Sequence, residues 1–480
     1  MKTLVLFVSA FLFILPVYAQ AQAPDTLWTR NYGFSGDDQA WQVQPTQDDG
    51  FIIVGMADVG IPSDLDMYLI KTDENGDSIW TRTYDYSTLV DVGRSVLPLN
   101  DGGFVVTGYS NTFGYDDDLI LFKVDSLGSR EWFRVYNDAS GRSIKKSADG
   151  NFIIAGFMPG AAGDEDMCFI KTDTAGIQIW GCFYGGSSDE RTWDICETLA
   201  GEFFIVGWTE SIGAGGSDIF VIKTDQNGEL IWSNTYGDLY NDEGRSILSK
   251  EDGGFVIAGK ISMNQFSHNV TVINADSNGN VIWSRIFSDS ADAIANSIVA
   301  TSDGGYILTG MRRDSNYMLS GFVIKIDVNG DSLWSKIIRD PDQNLYCRSI
   351  VQTSDGGYVI AGYHQVPGHS NDVFLCKLAP DIVGIQDEIA ILPENTTLHQ
   401  NYPNPFNANT TVSFTLSEPQ YIVLSVYDLL GRKISVLADG YFDAGIHDIT
   451  FDAGDLSSGI YFYILKTGDI SETKSMILLK

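Results

Sequence analysis

Histidine and cysteine are scarce in this chain, five of each in 480 residues. His268, His364, His369, His399 and His447 stand apart, and none sits in a zinc-binding or nucleophile-activating signature. Cys168, Cys182, Cys196, Cys347 and Cys376 are odd in number and lack metal-ligand spacing. Cys168 and Cys182 flank one predicted hairpin turn, where they either face each other or stay buried free thiols like the rest. Basic residues are few as well: 30 Lys and Arg against 63 Asp and Glu, a formal net charge of −33. A surface of that sign repels nucleic acid and anionic lipid. Beyond Val17 no apolar run has the length of a membrane-spanning helix. The expectations are therefore no metal, no cofactor, no nucleic-acid partner and no membrane-spanning segment.

At the N-terminus Lys2 precedes an apolar stretch from Leu4 to Val17. Small-residue cleavage options follow at Val17-Tyr18-Ala19 and Ala19-Gln20-Ala21. The pattern predicts a Sec signal peptide over residues 1–21, and hence an exported protein.

What is abundant is repetition. A short turn with Gly and usually Asp leads into an aromatic, two or three apolar residues and a second Gly. The copies are Phe51 to Gly55, Phe104 to Gly108, Phe152 to Gly156, Phe203 to Gly207, Phe255 to Gly259, Tyr306 to Gly310 and Tyr358 to Gly362. Trp28, Trp80, Trp132, Trp180, Trp232, Trp283 and Trp334 keep step with them. A period of about fifty residues belongs to propellers and other repeat arrays. Within one copy, 91–136, short β-rich runs alternate with Asn-Asp-Gly-Gly and Asp-Ser-Leu-Gly turns, and no helical spacing competes. Four antiparallel strands per copy make a propeller blade. The seventh copy lacks its Trp strand, and an orphan strand surrounds Trp28. The N-terminal strand should therefore complete the last blade and close the ring.

Two resemblances follow from these phrases. Asp73-Glu74-Asn75-Gly76 with Trp80 resembles the tryptophan-docking motif of quinoprotein-type propellers. That family's adjacent cysteines are absent, so no quinone is expected. Tyr184 to Glu190, Ile205-Val206-Gly207-Trp208 and Ser217 to Lys223 resemble the seven-bladed repeat of exported bacterial proteins. That resemblance covers residues 25–379 and implies fold, not ligand. Composition shifts afterwards: 380–396 reads as a linker and 397–480 as a small Ig-like β-sandwich. Its expected strands are Thr411 to Leu416, Tyr421 to Asp428, Ile446 to Phe451, Gly459 to Lys466 and Lys474 to Leu479. Asn401-Tyr402-Pro403-Asn404-Pro405-Phe406-Asn407, Val426 to Arg432, Ser458-Gly459-Ile460-Tyr461 and Lys474 to Lys480 resemble the type A sorting domain of type IX secretion. This implies the secretion machinery as partner, and export to the outer-membrane surface or beyond.

Function is expected on the long-loop face or in the channel mouth. The inner strands place Trp41, Arg94, Arg142, Trp193, Arg245, Asn296 and Arg348 at one repeat position. Such Arg and Trp residues either hold an anionic or sugar ligand, with the indoles stacking on a ring, or tie blades together. In the second case each Arg pairs with a carboxylate such as Asp91, Asp138, Asp242 or Glu243. Tyr109, Phe157, Trp208 and Tyr363 suit a sugar-stacking rim or blade packing. Asp116-Asp117-Asp118 and Asp164-Glu165-Asp166 read as an acidic rim without calcium-loop spacing. The expected function is binding of a glycan or protein outside the cell. The alternatives are a polysaccharide hydrolase or lyase on the same face, and a structural surface-layer role.

Overall fold

The computed structural model describes residues 22–480 except 61–64, 87–89, 112–116, 161–162, 265–266, 288–291, 315, 341–342, 366–369, 382–395, 402, 418–419, 443–444, 455 and 469–470. The expected signal peptide, most of the linker, Asp116, His369 and Tyr402 lie outside these residues. The chain divides into two compact units, Met1–Ile382 and Val383–Lys480.

The first unit consists of seven four-stranded antiparallel sheets. The second blade runs Asp91–Pro98, Phe104–Ser110, Asp118–Val124 and Arg130–Tyr136, hydrogen-bonded in that order. Its middle strands are buried on both faces, because neighbouring blades cover each: Val105 and Leu121 pack towards one, Val106 and Phe122 towards the other. In the seventh blade Thr26–Tyr32 pairs with Asp372–Leu378, beside Tyr358–His364 and Leu345–Gln352. The N-terminal strand thus closes the ring.

The repeated phrases explain themselves in this frame. The Asp of the first turn accepts a third-strand lysine, as in Lys71–Asp48 at 2.9 Å, Lys171–Asp149 at 2.7 Å and Lys377–Asp355 at 2.8 Å. The Trp docks on the next blade: Trp80 covers Gly128, Trp132 covers Gly176 and Trp28 covers Gly76. Gly76 has φ 75°, and Asp73 Oδ1 accepts the N–H groups of Asn75 and Asp77 at 2.9 and 2.8 Å. Asp73 to Asp77 is therefore a hairpin turn built to receive the indole. Cys168 lies opposite Phe183, and Cys182 opposite Phe169, so the two cysteines are offset by one residue and both are free.

The second unit pairs a three-stranded sheet, Thr397–Leu398, Asn409–Leu416 and Gly445–Asp452, with a four-stranded one. The latter is ordered Lys433–Phe442, Gln420–Tyr427, Gly459–Lys466, Ser471–Leu478. Phe414, Val426, Tyr463 and Met476 fill the core. Lys433–Phe442 was absent from the expected strands. It pairs through two irregularities, its Ile434 and Val436 face solvent, and Ala438, Asp439 and Gly440 interrupt the alternation that marks a half-buried strand.

Candidate ligand site at the channel mouth

Every inner strand carries one register shift, and it falls at the same place. Trp41, Arg94, Arg142, Trp193, Arg245, Asn296 and Arg348 are the residues left unpaired by it. A β-bulge re-aims its extra side chain and bends the strand. Here the seven side chains line one central cavity of about 210 Å³. The glycine that ends each repeat phrase lies directly across from the bulge. A Cβ on Gly362 would come within 1.8 Å of the Tyr346 carbonyl oxygen, and one on Gly259 within 2.0 Å of that of Glu243. The glycine recurs because the bulge pushes a carbonyl into the space a side chain would need.

The ring is ordered by cation–π contacts. Arg348 and Arg94 come from the blades flanking Trp41 and lie 4.5 and 3.6 Å from its ring centre. Arg142 and Arg245 flank Trp193 at 5.4 and 4.3 Å. Each indole thus packs against two guanidinium groups, and the aromatic rings lie among cations that would otherwise repel. Tyr109 lies between Arg94 and Arg142, 5.3 and 5.5 Å from them. Phe157 is 4.7 Å from Arg142, Trp208 lies 5.7 Å from Arg191, and Tyr363 is 5.5 Å from Arg348. The aromatic residues after the glycines therefore buttress arginines.

The arginines differ in their partners. Arg245 donates to Glu243 at 2.6 Å, and Lys260 reaches the same carboxylate at 2.7 Å. Among the described residues Arg94 and Arg348 donate through their side chains to phenol oxygens, Tyr109 at 3.3 Å and Tyr363 at 2.9 Å. Among the described residues no ion pair closes on Arg94, Arg142 or Arg348. Asp91 and Asp242 accept loop amides of Tyr86 and Asp238, and Asp138 lines a neighbouring pocket. Among the described residues Glu243 alone of the four pairs with a ring arginine, and it does so within one strand, Glu243–Ser249, not between blades. Burial, then Arg94, pushes Arg142 down to about 9, and burial also holds Arg94 and Arg245 below the usual arginine range. Nε1 of Trp41 and Trp193, and Nε of Arg94, Arg142 and Arg348, are buried without a protein acceptor.

A second ring lies one residue further along, and the sequence reading missed it. Ser95 donates to Gln42 at 3.0 Å, and Ser143 and Ser246 donate to Asp194 at 2.8 and 3.2 Å. Asp194 also meets Lys145 at 3.4 Å and is, among the described residues, the sole carboxylate of the cavity wall. The recurring Arg-Ser pairs of the inner strands were the available signal. Around the mouth, Asp38 is raised to about 6 by burial, against the pull of amides from Phe34 and Asp58. Among the described residues no cluster of three or more His, Cys, Asp or Glu is arranged to hold a metal.

In the second unit the expected sorting residues are mutually tied. Asn401 is buried, accepts Gln400 Nε2 on its Oδ1 at 2.8 Å, and donates through Nδ2 to Pro403 O and Thr410 Oγ1 at 3.1 and 2.9 Å. Asn404 Oδ1 accepts Ile477 N–H at 2.9 Å, and a cis peptide bond links Asn404 to Pro405. Phe406 fills the core and exchanges backbone bonds with Ile477 and Leu479. Gly459 begins a strand in which Tyr461 donates to Ser457 O at 2.9 Å. Lys474 lies opposite Tyr463, and Lys480 donates to Ser458 Oγ at 2.9 Å.

Residues 400–479 match the family described as the secretion system C-terminal sorting domain. No curated protein matches the chain. Among solved structures, a fungal alcohol oxidase of the AA5 family in complex with copper is 12% identical, at TM-score 0.44, over 96% of this chain and 100% of that one. PorZ, a surface component of the type IX secretion system of Porphyromonas gingivalis, is 11% identical at TM-score 0.41, over 94% of this chain and 60% of that one. The β-propeller domain of the trilobed protease of Pyrococcus furiosus is 10% identical at TM-score 0.43, over 74% and 98%. None of these likenesses bears on ligand or chemistry. The sorting domain implies interaction with the type IX machinery and delivery to the cell surface or medium.

Proposed function

We propose that this exported seven-bladed propeller is a binding protein that takes a carboxylate-bearing glycan at the channel mouth, after a Sec signal peptide and the sorting domain have delivered it. One observation carries the reading: five side-chain N–H donors, from Trp41, Arg94, Arg142, Trp193 and Arg348, are buried in one cavity without a protein acceptor. An unsatisfied buried donor costs about 1–3 kcal/mol. A ligand oxyanion on the channel axis supplies acceptors and charge together, and charge-assisted bonds are the stronger kind. The acidic surroundings confine attraction to short range, since charges more than about 8 Å apart are screened at physiological salt.

The test is a glycan array probed with the mature chain. Uronic-acid glycans should be retained over their neutral counterparts, and retention should fall with salt. Equal retention of acidic and neutral glycans would sink the reading. Bound oligosaccharides recovered intact would support binding, whereas shortened products would move the function to cleavage.

A further inference from the structure

The seven side chains of the ring repeat a pattern around the axis. Blades seven, one and two supply Arg348, Trp41 and Arg94, and blades three, four and five supply Arg142, Trp193 and Arg245. Asn296 of the sixth blade parts the two Arg-Trp-Arg triplets on one side and donates to Cys347 O at 2.8 Å. In each triplet the indole Nε1 is buried without a protein acceptor. So is a guanidinium Nε: those of Arg348 and Arg94 in the first triplet, and that of Arg142 in the second. The second triplet is the weaker in charge, because Glu243 occupies its Arg245 at 2.6 Å. Both triplets line the same cavity. Its other charged wall residues, Lys145 and Asp194, meet each other at 3.4 Å. Among the described residues, then, Arg94, Arg142 and Arg348 face one cavity with no ion pair.

We propose that the ring takes two carboxylates at once, one on each Arg-Trp-Arg triplet, so that its ligand is an oligouronate rather than a glycan with one isolated acid. The inference rests on the proposed anion-binding role of the ring. A single carboxylate has two oxygens in one plane and cannot meet donors on both arcs of the ring. It would also leave two of the three cations without a counterion, and a buried uncompensated charge is costly. Two carboxylates leave one, and Asp117, which attracts both Arg94 and Arg142, offsets part of it. The first triplet, with two unpaired guanidinium groups, holds a lone acid. The second has one, and fills when the same molecule brings another carboxylate at high effective concentration.

The experiment titrates the mature chain calorimetrically with galacturonic acid, digalacturonic acid and a disaccharide of galacturonic acid joined to neutral galactose. The mixed disaccharide matches the diacid in size and lacks only the second charge. Digalacturonic acid should bind at least about tenfold more tightly than the mixed disaccharide. Its affinity should also fall more steeply with salt. Trp193→Phe removes one N–H and keeps an aromatic ring beside the arginines. It should cut the preference for the diacid to below about threefold. Trp41→Phe should weaken all three compounds. The comparison on the parent chain decides by itself if a variant does not fold. If galacturonic acid binds but the diacid gains nothing over the mixed disaccharide, or the gain survives Trp193→Phe in full, the second carboxylate position is refuted and the single-acid reading stands. If none of the three binds, the anion-binding reading falls and this inference with it.

Discussion

Replacing Gly362 by alanine tests the link between repeat phrase and site. The new Cβ would lie 1.8 Å from the Tyr346 carbonyl oxygen and 2.9 Å from its carbon. Ordinary contact requires the strands to separate by more than about 1 Å, a backbone movement of the overpacking kind that costs about 1–3 kcal/mol. The inner strand yields most readily at its bulge, where loss of one or two ladder bonds adds about 1 kcal/mol each. The sum is about 3 kcal/mol, which for a unit of this size lowers the melting temperature by roughly 4 °C. Arg348 is the bulged residue, and its bond to Tyr363 starts one residue from the substitution. Gly440 is the control, since a Cβ there meets nothing within 4 Å. Differential scanning calorimetry of the two variants decides the matter. If Gly362→Ala melts within a degree of Gly440→Ala, the steric account of the recurring glycine is wrong.

Deleting 25–32 should open the seventh blade and cause a far larger loss of melting temperature, while Trp28→Ala, which uncovers Gly76 and only partly buried surface, should cost about 2–4 kcal/mol in chemical denaturation. An unchanged melt of the truncated chain would contradict ring closure. Burial raises Asp38 to about 6 from an ordinary value of 3.8, so its contribution to stability is fully present below about pH 4 and lost as pH rises through 6. Asp38→Asn should therefore flatten the pH dependence of melting between pH 4 and 6, and a slope equal to that of the parent would reject the assignment. Glu243→Gln should destabilise by about 3–5 kcal/mol in urea, because it strands Arg245 and Lys260 as buried cations. A reporter bearing residues 1–21 and 397–480 should leave a type IX-competent cell, and removal of 474–480, which supply the backbone partners of Phe406, should hold it in the periplasm.

The fold was legible because its determinants are local. Turn glycines, aromatic-led apolar runs and the Trp strand each act within one blade, and the orphan strand around Trp28 revealed closure. The ring positions were also legible, since one repeat position carried Arg or Trp in six of seven copies. What the side chains do there was not. Trp41 is covered by Arg94 and Arg348, residues about 50 and 300 positions away, and no spacing rule encodes that contact. The bulge leaves only an indirect mark, the glycine opposite it. Lys433–Phe442 escaped notice because Ala438, Asp439 and Gly440 interrupt its pattern.

The most direct measurement is a paired one on Arg348→Ala and Arg94→Ala: calorimetric titration with galacturonic acid at about 0.15 M salt, beside thermal melting of the same samples. The account predicts that each substitution weakens binding at least about tenfold. Melting should fall only modestly, because each guanidinium gives up its cation–π contacts and one phenol hydrogen bond but, among the described residues, no ion pair. Lower melting with binding unchanged, or absent from the parent chain as well, would contradict it and leave the ring as a tie between blades.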